Sequence, residues 1–388
     1  MREPPVTSLP AVAIAGCGAT TAVGCGVDAL RAALRANASG LRPDARFDSP
    51  RFQSSMVGAA LADDTDNPAY QLADGALREA REQAREILSP IPAARLGLVL
   101  ATTKANIAAL ERLAANQPCS AAARRHLQGN LLAADLAAEH GAQGPVQTLS
   151  VACVSGLVAL IQGAKLIQRG AADAVLVIGV DHLSAFVVSG FTTLKAIAPN
   201  GCRPFDRDRC GLSPGEAGAA IVLVRAELAP PPAITLRGWG SSNDANHMTG
   251  PSRDGAGLAQ AIRAALQAAN LRPDEIAYVN AHGTGTPYND AMEAVALRTV
   301  FGATGPPVSG LKGMLGHTLG AAGVVETVAC VLAMQASFLP GTPRLLIPAE
   351  GAPAGLVAEP RASARLPHVL KLNTGFGGVN GALILSHG

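Results

Sequence analysis

Three residues of this 388-residue chain have types and settings that suit nucleophilic chemistry. Cys153 follows an extended, β-branched run at 146–151 and precedes a stretch at 154–168 whose apolar Leu157, Leu160, Ile161 and Ala164 fall at helical spacing. A thiol at such a junction lies near the unpaired N–H groups and positive dipole end of a helix. Both favour the thiolate, which is the nucleophilic form. A lone cysteine at a strand end is otherwise small core packing. Two histidines shift the reading towards a site. His282 lies in Asn280-Ala281-His282-Gly283-Thr284-Gly285-Thr286, directly after the apolar stretch 276–279. His317 lies in Lys312-Gly313-Met314-Leu315-Gly316-His317-Thr318-Leu319-Gly320-Ala321-Ala322-Gly323, which opens an apolar helix at 324–334. Clustered glycine lets backbone or ligand approach closely. A helix N-terminus at His317 would disfavour imidazolium and keep that ring neutral.

The elements that must position these residues come in two sets. Val12-Ala13-Ile14-Ala15-Gly16-Cys17-Gly18 resembles Ile234-Thr235-Leu236-Arg237-Gly238-Trp239-Gly240. Residues 97–103 parallel 277–283, and 216–223 parallel 379–385, in the same order. Such long-period similarity reads as architecture, here a duplicated βα-rich unit. Pro230-Pro231-Pro232 is a joint that no helix crosses, which divides the chain into 1–232 and 233–388. Helical patterns at 66–88, 106–115, 127–140, 257–269 and 291–301 alternate with strands, so each half should hold a mixed sheet covered by helices. Segments 36–66 and 184–209 lack clean periodicity and read as insertions.

Composition narrows the class. The length exceeds what one core normally supports. A formal net charge of +2 implies no nucleic-acid partner. There is no run of 18 apolar residues, and residues 1–10 lack a signal-peptide pattern, so a cytoplasmic protein without a membrane span is expected. The seven cysteines are odd in number and include no Cys-x-x-Cys pair, which argues against a disulfide framework or a zinc ribbon. No metal is expected.

At Val-Ala-Cys153-Val-Ser-Gly, Asn-Ala-His282-Gly-Thr-Gly-Thr and Lys312 to Gly323, the chain resembles the Cys-His-His β-ketoacyl-(acyl carrier protein) synthases. These are the elongating condensing enzymes of the thiolase superfamily. Arg203-Pro204-Phe205-Asp206 with Gly215-Glu216-Ala217-Gly218, Asp244-Ala245-Asn246-His247-Met248-Thr249-Gly250-Pro251 and Gly375-Phe376-Gly377-Gly378-Val379-Asn380 agree with the same family. The resemblance implies an α/β fold, the five-layer αβαβα sandwich. It implies decarboxylative condensation of a malonyl-carrier thioester with an acyl group held on Cys153. His282 and His317 would be neutral donors to the malonyl carbonyl, Lys312 the nearby cation and Glu293 its partner carboxylate. Backbone N–H groups of Cys153 and Phe376 would form the oxyanion hole. Thr284 and Thr286 would bind the pantetheine amides, and Lys195 would meet the carrier. No cofactor is implied, because phosphopantetheine arrives on the acyl carrier protein. A homodimer or a heterodimer with a ketosynthase-like partner is implied equally.

Two positions depart from the family pattern. Leu212 and Thr374 stand where the family often has phenylalanine. Smaller groups there suggest a wider acyl pocket, and an aryl-polyene or polyketide-type role beside primary fatty-acid elongation. Three rival readings fit less well. A degradative thiolase needs a second cysteine near the C-terminus, and none follows Cys330. An initiating synthase has Asn in place of one histidine. A chain-length-factor partner typically lacks the cysteine.

Overall fold

The computed structural model describes residues 10–61, 65–363 and 365–387. Most of 1–10, read above for a targeting pattern, lies outside the described residues. Two five-stranded units dominate the fold. The first comprises β1 (Val12–Thr21), β2 (Leu96–Ala101), β3 (Val146–Leu149), β4 (Ala174–Asp181) and β5 (Ala217–Arg225), ordered β3-β2-β4-β5-β1. The second comprises β6 (Ile234–Asn243), β7 (Tyr278–Asn280), β8 (Val308–Ser309), β9 (His368–Gly375) and β10 (Val379–His387), ordered β8-β7-β9-β10-β6. The second strand in each order, β2 or β7, pairs parallel with both its neighbours. The remaining pairs in each unit are antiparallel. The order and sense therefore repeat strand for strand, as the paired motifs suggested. The expected two sheets are not separate, however. Val12 pairs with Leu236 and Ala13 with Thr235, so hydrogen bonds run from one unit into the other.

Helices complete five layers. α1 (Pro68–Gln83) and α2 (Gly129–Glu139) cover the outer face of the first unit. α5 (Ala256–Ala269) and α6 (Pro287–Phe301) lie on the outer side of the second. Between the units lie α3 (Ser155–Gln168) and α7 (Ala322–Gln335). β4 shows why its sequence is apolar throughout. Val175 and Val177 face the middle layer, while Leu176, Ile178 and Val180 face the outer one. A strand covered on both sides loses the polar alternation of a half-exposed one. α7 is likewise apolar on every side, as a helix enclosed by protein must be. The one carboxylate in that helix, Glu326, therefore requires partners inside the protein.

The insertions carry some order of their own. Segment 36–66 contains a short ribbon, Arg42–Pro43 against Met56–Val57. Segment 184–209 opens with helix α4 (Ala185–Thr193), whose cap Ser184 accepts from the Val187 N–H. Its apolar residues do not follow one stripe, so periodicity did not reveal it. Among the described residues, no helix is long and apolar enough to cross a membrane.

The two middle helices meet at their N-terminal ends through glycine. A Cβ on Gly323 would sit 2.1 Å from the Leu157 nitrogen, and one on Gly156 would sit 2.8 Å from the Gly320 carbonyl oxygen. Backbone is opposed to backbone there, so no side chain can swing aside. Gly323→Ala should destabilise the fold by about 1–3 kcal/mol, the usual cost of overpacking. Urea unfolding checks this, and an unchanged midpoint would mean that the helices slide apart freely.

Candidate active site

Cys153 sits on a sharp bend between β3 and α3. Ala152, just before it, has φ of 46°. That left-handed conformation costs a residue with a Cβ roughly 1–2 kcal/mol. Ser155 holds the bend: its Oγ accepts from the Val151 N–H at 2.7 Å and donates to the Ala152 carbonyl at 2.6 Å. The bend aims the thiol at the mouth of the middle layer. There the loop Gly375-Phe376-Gly377-Gly378 closes over it. Gly375 packs so tightly that a Cβ would lie 3.3 Å from the Cys153 nitrogen, and Gly377 and Gly378 both have positive φ. The Phe376 N–H points at the Cys153 sulfur and favours negative charge there.

The expected thiolate is not the resting form. Burial pushes the Cys153 thiol up to about 11, outweighing the opposing pull of Lys312 and Lys104. α3 starts at Ser155, and the sulfur lies inside the protein rather than at an open helix end.

His282 and His317 stand edge to face, with ring centroids 5.2 Å apart. Lys312 lies fully buried beneath His282. Its Nζ donates to the His282 carbonyl oxygen at 2.6 Å, to Glu326 Oε1 at 2.7 Å and to His282 Nδ1 at 3.2 Å. An ammonium has three donors and no acceptor. All three are engaged, and His282 Nδ1 must therefore be bare and its proton must be on Nε2. Asn373 Nδ2 approaches the same Nδ1 at 3.1 Å. His317 Nδ1 accepts from the Leu319 N–H at 3.2 Å, which fixes the same tautomer. Burial holds both rings well below the ordinary imidazole value, and Lys312 adds to this.

Two expectations are corrected here. The partner of Lys312 is Glu326, not Glu293. Glu293 instead accepts from the backbone N–H groups of His282 and Gly283, each at 2.7 Å, and from Asn289 Nδ2 at 2.9 Å. Burial, with Asp290 nearby, pushes Glu293 up to about 7. Spacing could not separate the two carboxylates, because both follow the histidine motifs at helical distances. The other correction concerns His317. The long helix begins at Ala322, after a 3-10 turn at Leu319–Ala321, so burial and lysine charge keep the ring neutral rather than a dipole at its position.

Residues that sequence reasoning missed complete the frame. Asp181, at the end of β4, accepts from Thr103 Oγ1 at 2.8 Å and from the Gly320 N–H at 2.7 Å, tying the two halves together. Lys104 forms a 3.1 Å ion pair with it. Lys371 forms a 2.7 Å ion pair with the other oxygen of Glu326. Phe191 of α4 packs 6.1 Å from the Phe376 ring and 6.4 Å from the His317 ring. No residue pattern flagged these, since each becomes informative only when the strands are assembled.

A cavity of about 480 Å³ connects these groups to the surface. Cys153, His282 and His317 lie on its wall with Thr284, Thr286, Leu212, Thr374, Phe376 and Lys195. Thr284 and Thr286 share a hydrogen bond at 2.9 Å. Thr374 is more than a small replacement, because its hydroxyl donates to Asn289 Oδ1 at 2.7 Å. Lys195 is exposed, with a positive φ of 53°, just past α4. Lys312 and Glu293 are buried away from the cavity wall.

Comparison with known proteins identifies the family of the chain. Residues 10–229 match the family described as "Beta-ketoacyl synthase, N-terminal domain", and residues 234–345 match "Beta-ketoacyl synthase, C-terminal domain". The chain is 38% identical over 275 residues to a polyketide beta-ketoacyl synthase 1 of Streptomyces cyaneus. That match spans 68% of this chain and 65% of the relative, just under two thirds. It is 32% identical to the tetracenomycin polyketide synthase ketoacyl synthase alpha subunit of Streptomyces glaucescens, over 97% of this chain and 96% of that one. Among solved structures it is similar to the ishigamide ketosynthase/chain length factor, with a TM-score of 0.90 and 30% identity over 98% of this chain and 100% of that one.

The buried histidines leave a signature in stability. Each has a folded pKa below its unfolded value near 6.5. The unfolded chain therefore binds more protons in acid. Their contribution is fully present above pH 6.5 and falls as pH drops below it, by about 1.4 kcal/mol per pH unit for each ring. Glu293, raised to about 7, acts in the opposite sense between 4.5 and 7. The difference between variants isolates the histidine effect. His317→Asn should reduce the slope of unfolding free energy against pH, between 6 and 5, by about 1.4 kcal/mol per unit. An identical slope in the variant would show that His317 is protonated alike in both states.

Proposed function

Because the chain belongs to the β-ketoacyl synthase family, we propose that it catalyses decarboxylative condensation of a malonyl-carrier thioester with an acyl group held on Cys153. The observation that carries this reading is a buried thiol facing two neutral imidazoles, both with the proton on Nε2. In the first step the Cys153 sulfur attacks the acyl-carrier thioester carbonyl. The new C–S bond replaces the old one, and the thiol proton leaves with the carrier thiol. N–H groups of Cys153 and Phe376 receive the transient oxyanion. In the second step the malonyl group loses carbon dioxide. The electron pair of the broken C–C bond becomes an enolate, whose oxygen accepts from His282 and His317. The enolate carbon then attacks the acyl-Cys153 carbonyl, the C–S bond breaks, and the sulfur leaves as a thiolate that takes up a proton from water to restore the resting thiol. Donors preset at a developing oxyanion are usually the largest catalytic contribution, often about 3–4 kcal/mol for one donor.

In this reading the first half, 1–232, supplies the nucleophile and the second, 233–388, supplies both donors. Lys312 fixes the ring of His282, and Glu293 fixes the backbone beneath it. Thr284 and Thr286 meet the pantetheine arm brought by an acyl carrier protein, and Lys195 meets the carrier at the mouth. The protein itself needs no cofactor. We place it in the cytoplasm. The likeness to a ketosynthase/chain length factor favours a second reading of its assembly, as catalytic subunit of such a pair in an aryl-polyene or polyketide-type pathway.

Intact-mass analysis with a panel of acyl-carrier thioesters tests the nucleophile. Wild type should gain one acyl group, and Cys153→Ala should gain none. Acylation of the variant at wild-type yield would overturn the assignment. His282→Ala or His317→Ala should lower condensation about a hundredfold or more while Cys153 still loads at least in part. Equal loss of both half-reactions would contradict this division of labour.

Leu212 and Thr374 set the breadth of the cavity. Wild type should prefer bulky, unsaturated or aryl-primed chains over short saturated ones. Leu212→Phe with Thr374→Phe should shift preference towards short saturated chains. It will also leave Asn289 Oδ1 without its donor, at a stability cost of about 1–3 kcal/mol. Competition between mixed acyl carriers measures the preference. A wild type that favours short saturated chains, with no shift in the variant, would place the enzyme with ordinary elongation.

A further inference from the structure

Lys371 is fully buried, yet the steps above give it no part. It lies in the middle of β9, paired in register with Asn280 of β7 and Leu383 of β10. Residues alternate across the strand. Leu370 and Leu372 enter the outer apolar layer against α5, while Val369 faces the middle layer. Lys371 and Asn373 share the Val369 face. From it Asn373 reaches His282 Nδ1, and Lys371 reaches Glu326 Oε2 at 2.7 Å. Lys371 has no exposed surface, and its Nζ also donates to the Leu372 carbonyl.

The charges can be counted. Glu326 pairs with a lysine on each of its two oxygens, Lys312 and Lys371, two cations to one anion when all are ionised; burial lowers Lys371 from the ordinary lysine value, and the Glu326 carboxylate opposes this. Lys312 alone would be cancelled. Cys330 on α7 also acts on Lys371 and His317 on His282, Tyr278 on β7 lies in the field of Cys330 and Glu326, and Glu293, pushed up to about 7 by burial and so only partly ionised at pH 7, accepts from the His282 N–H outside the three-residue cluster. Burial pushes the Cys330 thiol up to about 12 and also raises the Tyr278 phenol, so both are neutral at pH 7. His317 is neutral as well. A carboxylate flanked by one lysine suffices to orient that lysine, and the second lysine leaves a positive excess behind His282.

We propose that Lys371 is a positioning residue for the condensation, acting through Glu326 to leave the cluster behind His282 with one uncompensated positive charge opposite the enolate. The inference rests on the functional reading above. A fixed charge buried behind the cavity wall acts on a developing anion more strongly than the same charge in water, because less solvent must reorganise. Acyl loading draws on the Phe376 N–H and is less dependent on this charge.

Lys371→Gln retains a donor to Glu326 and removes the charge; Lys371→Met removes both. Each should lower condensation turnover at least tenfold while acylation of Cys153, read by intact mass, stays within twofold. The acid limb of the condensation rate should also move to higher pH, since His282 loses a nearby cation. A merely structural lysine would move neither the limb nor the ratio of the two half-reactions. Lys371→Gln with wild-type turnover and an unmoved limb would overturn the proposal. Should the variants fail to fold, ¹⁵N-lysine NMR of the wild-type chain decides it: an ammonium at Lys371 is expected at pH 7, and a neutral amine there would overturn the proposal. Failure of the wild type to load or condense would instead overturn the functional reading, leaving the charge of Lys371 measurable on its own.

Discussion

A lysine ammonium with no access to water must find an acceptor for each of its three protons, and Lys312 finds them in one histidine and one glutamate. That requirement organises the site. It forces His282 Nδ1 to be an acceptor, puts the ring proton on Nε2 and presents it to the cavity. It also explains why a carboxylate stands in the apolar α7. Breaking such a buried pair by removing one partner typically costs about 3–5 kcal/mol, because the other charge is stranded. The arrangement is therefore a poor source of stability and a strong source of orientation.

The duplicated fold supplies the means. Each half delivers its chemistry from equivalent places, the ends of the parallel strands and the start of the middle helix. Cys153 precedes α3 and His317 precedes α7, and close glycine contacts bring the two helix starts together. Asp181 pins them by accepting from Thr102 and Thr103 of one half and Gly320 of the other. The price of this closeness is desolvation, which raises the Cys153 thiol and neutralises both imidazoles. Neutral rings are what an enolate needs as donors, so one physical cause serves the histidines while leaving the sulfur as a thiol at rest.

Much of this was legible in the residues. Cys153 stood out by its strand-to-helix junction, His282 and His317 by glycine clustering at element ends, and the three repeated motifs fall on equivalent strands of the two units. Other features were hidden for definite reasons. Glu293 and Glu326 are both helical carboxylates downstream of a histidine, and only the packing of α7 against Lys312 distinguishes them. Lys371 sits in Val-Leu-Lys-Leu, where a lone lysine reads as an exposed strand position; β9 is covered on both faces instead. Thr374 looked like missing bulk, whereas its hydroxyl joins it to Asn289. α4 lacks a single apolar stripe. Charge partners and two-sided burial are properties of the assembled sheet, and local spacing does not contain them.

The central claim is that burial and lysine charge hold both imidazoles neutral, and that fixed hydrogen bonds keep their protons on Nε2. ¹⁵N NMR of histidine-labelled protein at pH 7 reads this directly, with His282→Gln and His317→Gln assigning the signals. The account predicts that both rings show a protonated Nε2 and a bare Nδ1, unchanged down to pH 6. An imidazolium at either position, or a proton on Nδ1 of His282, would contradict it.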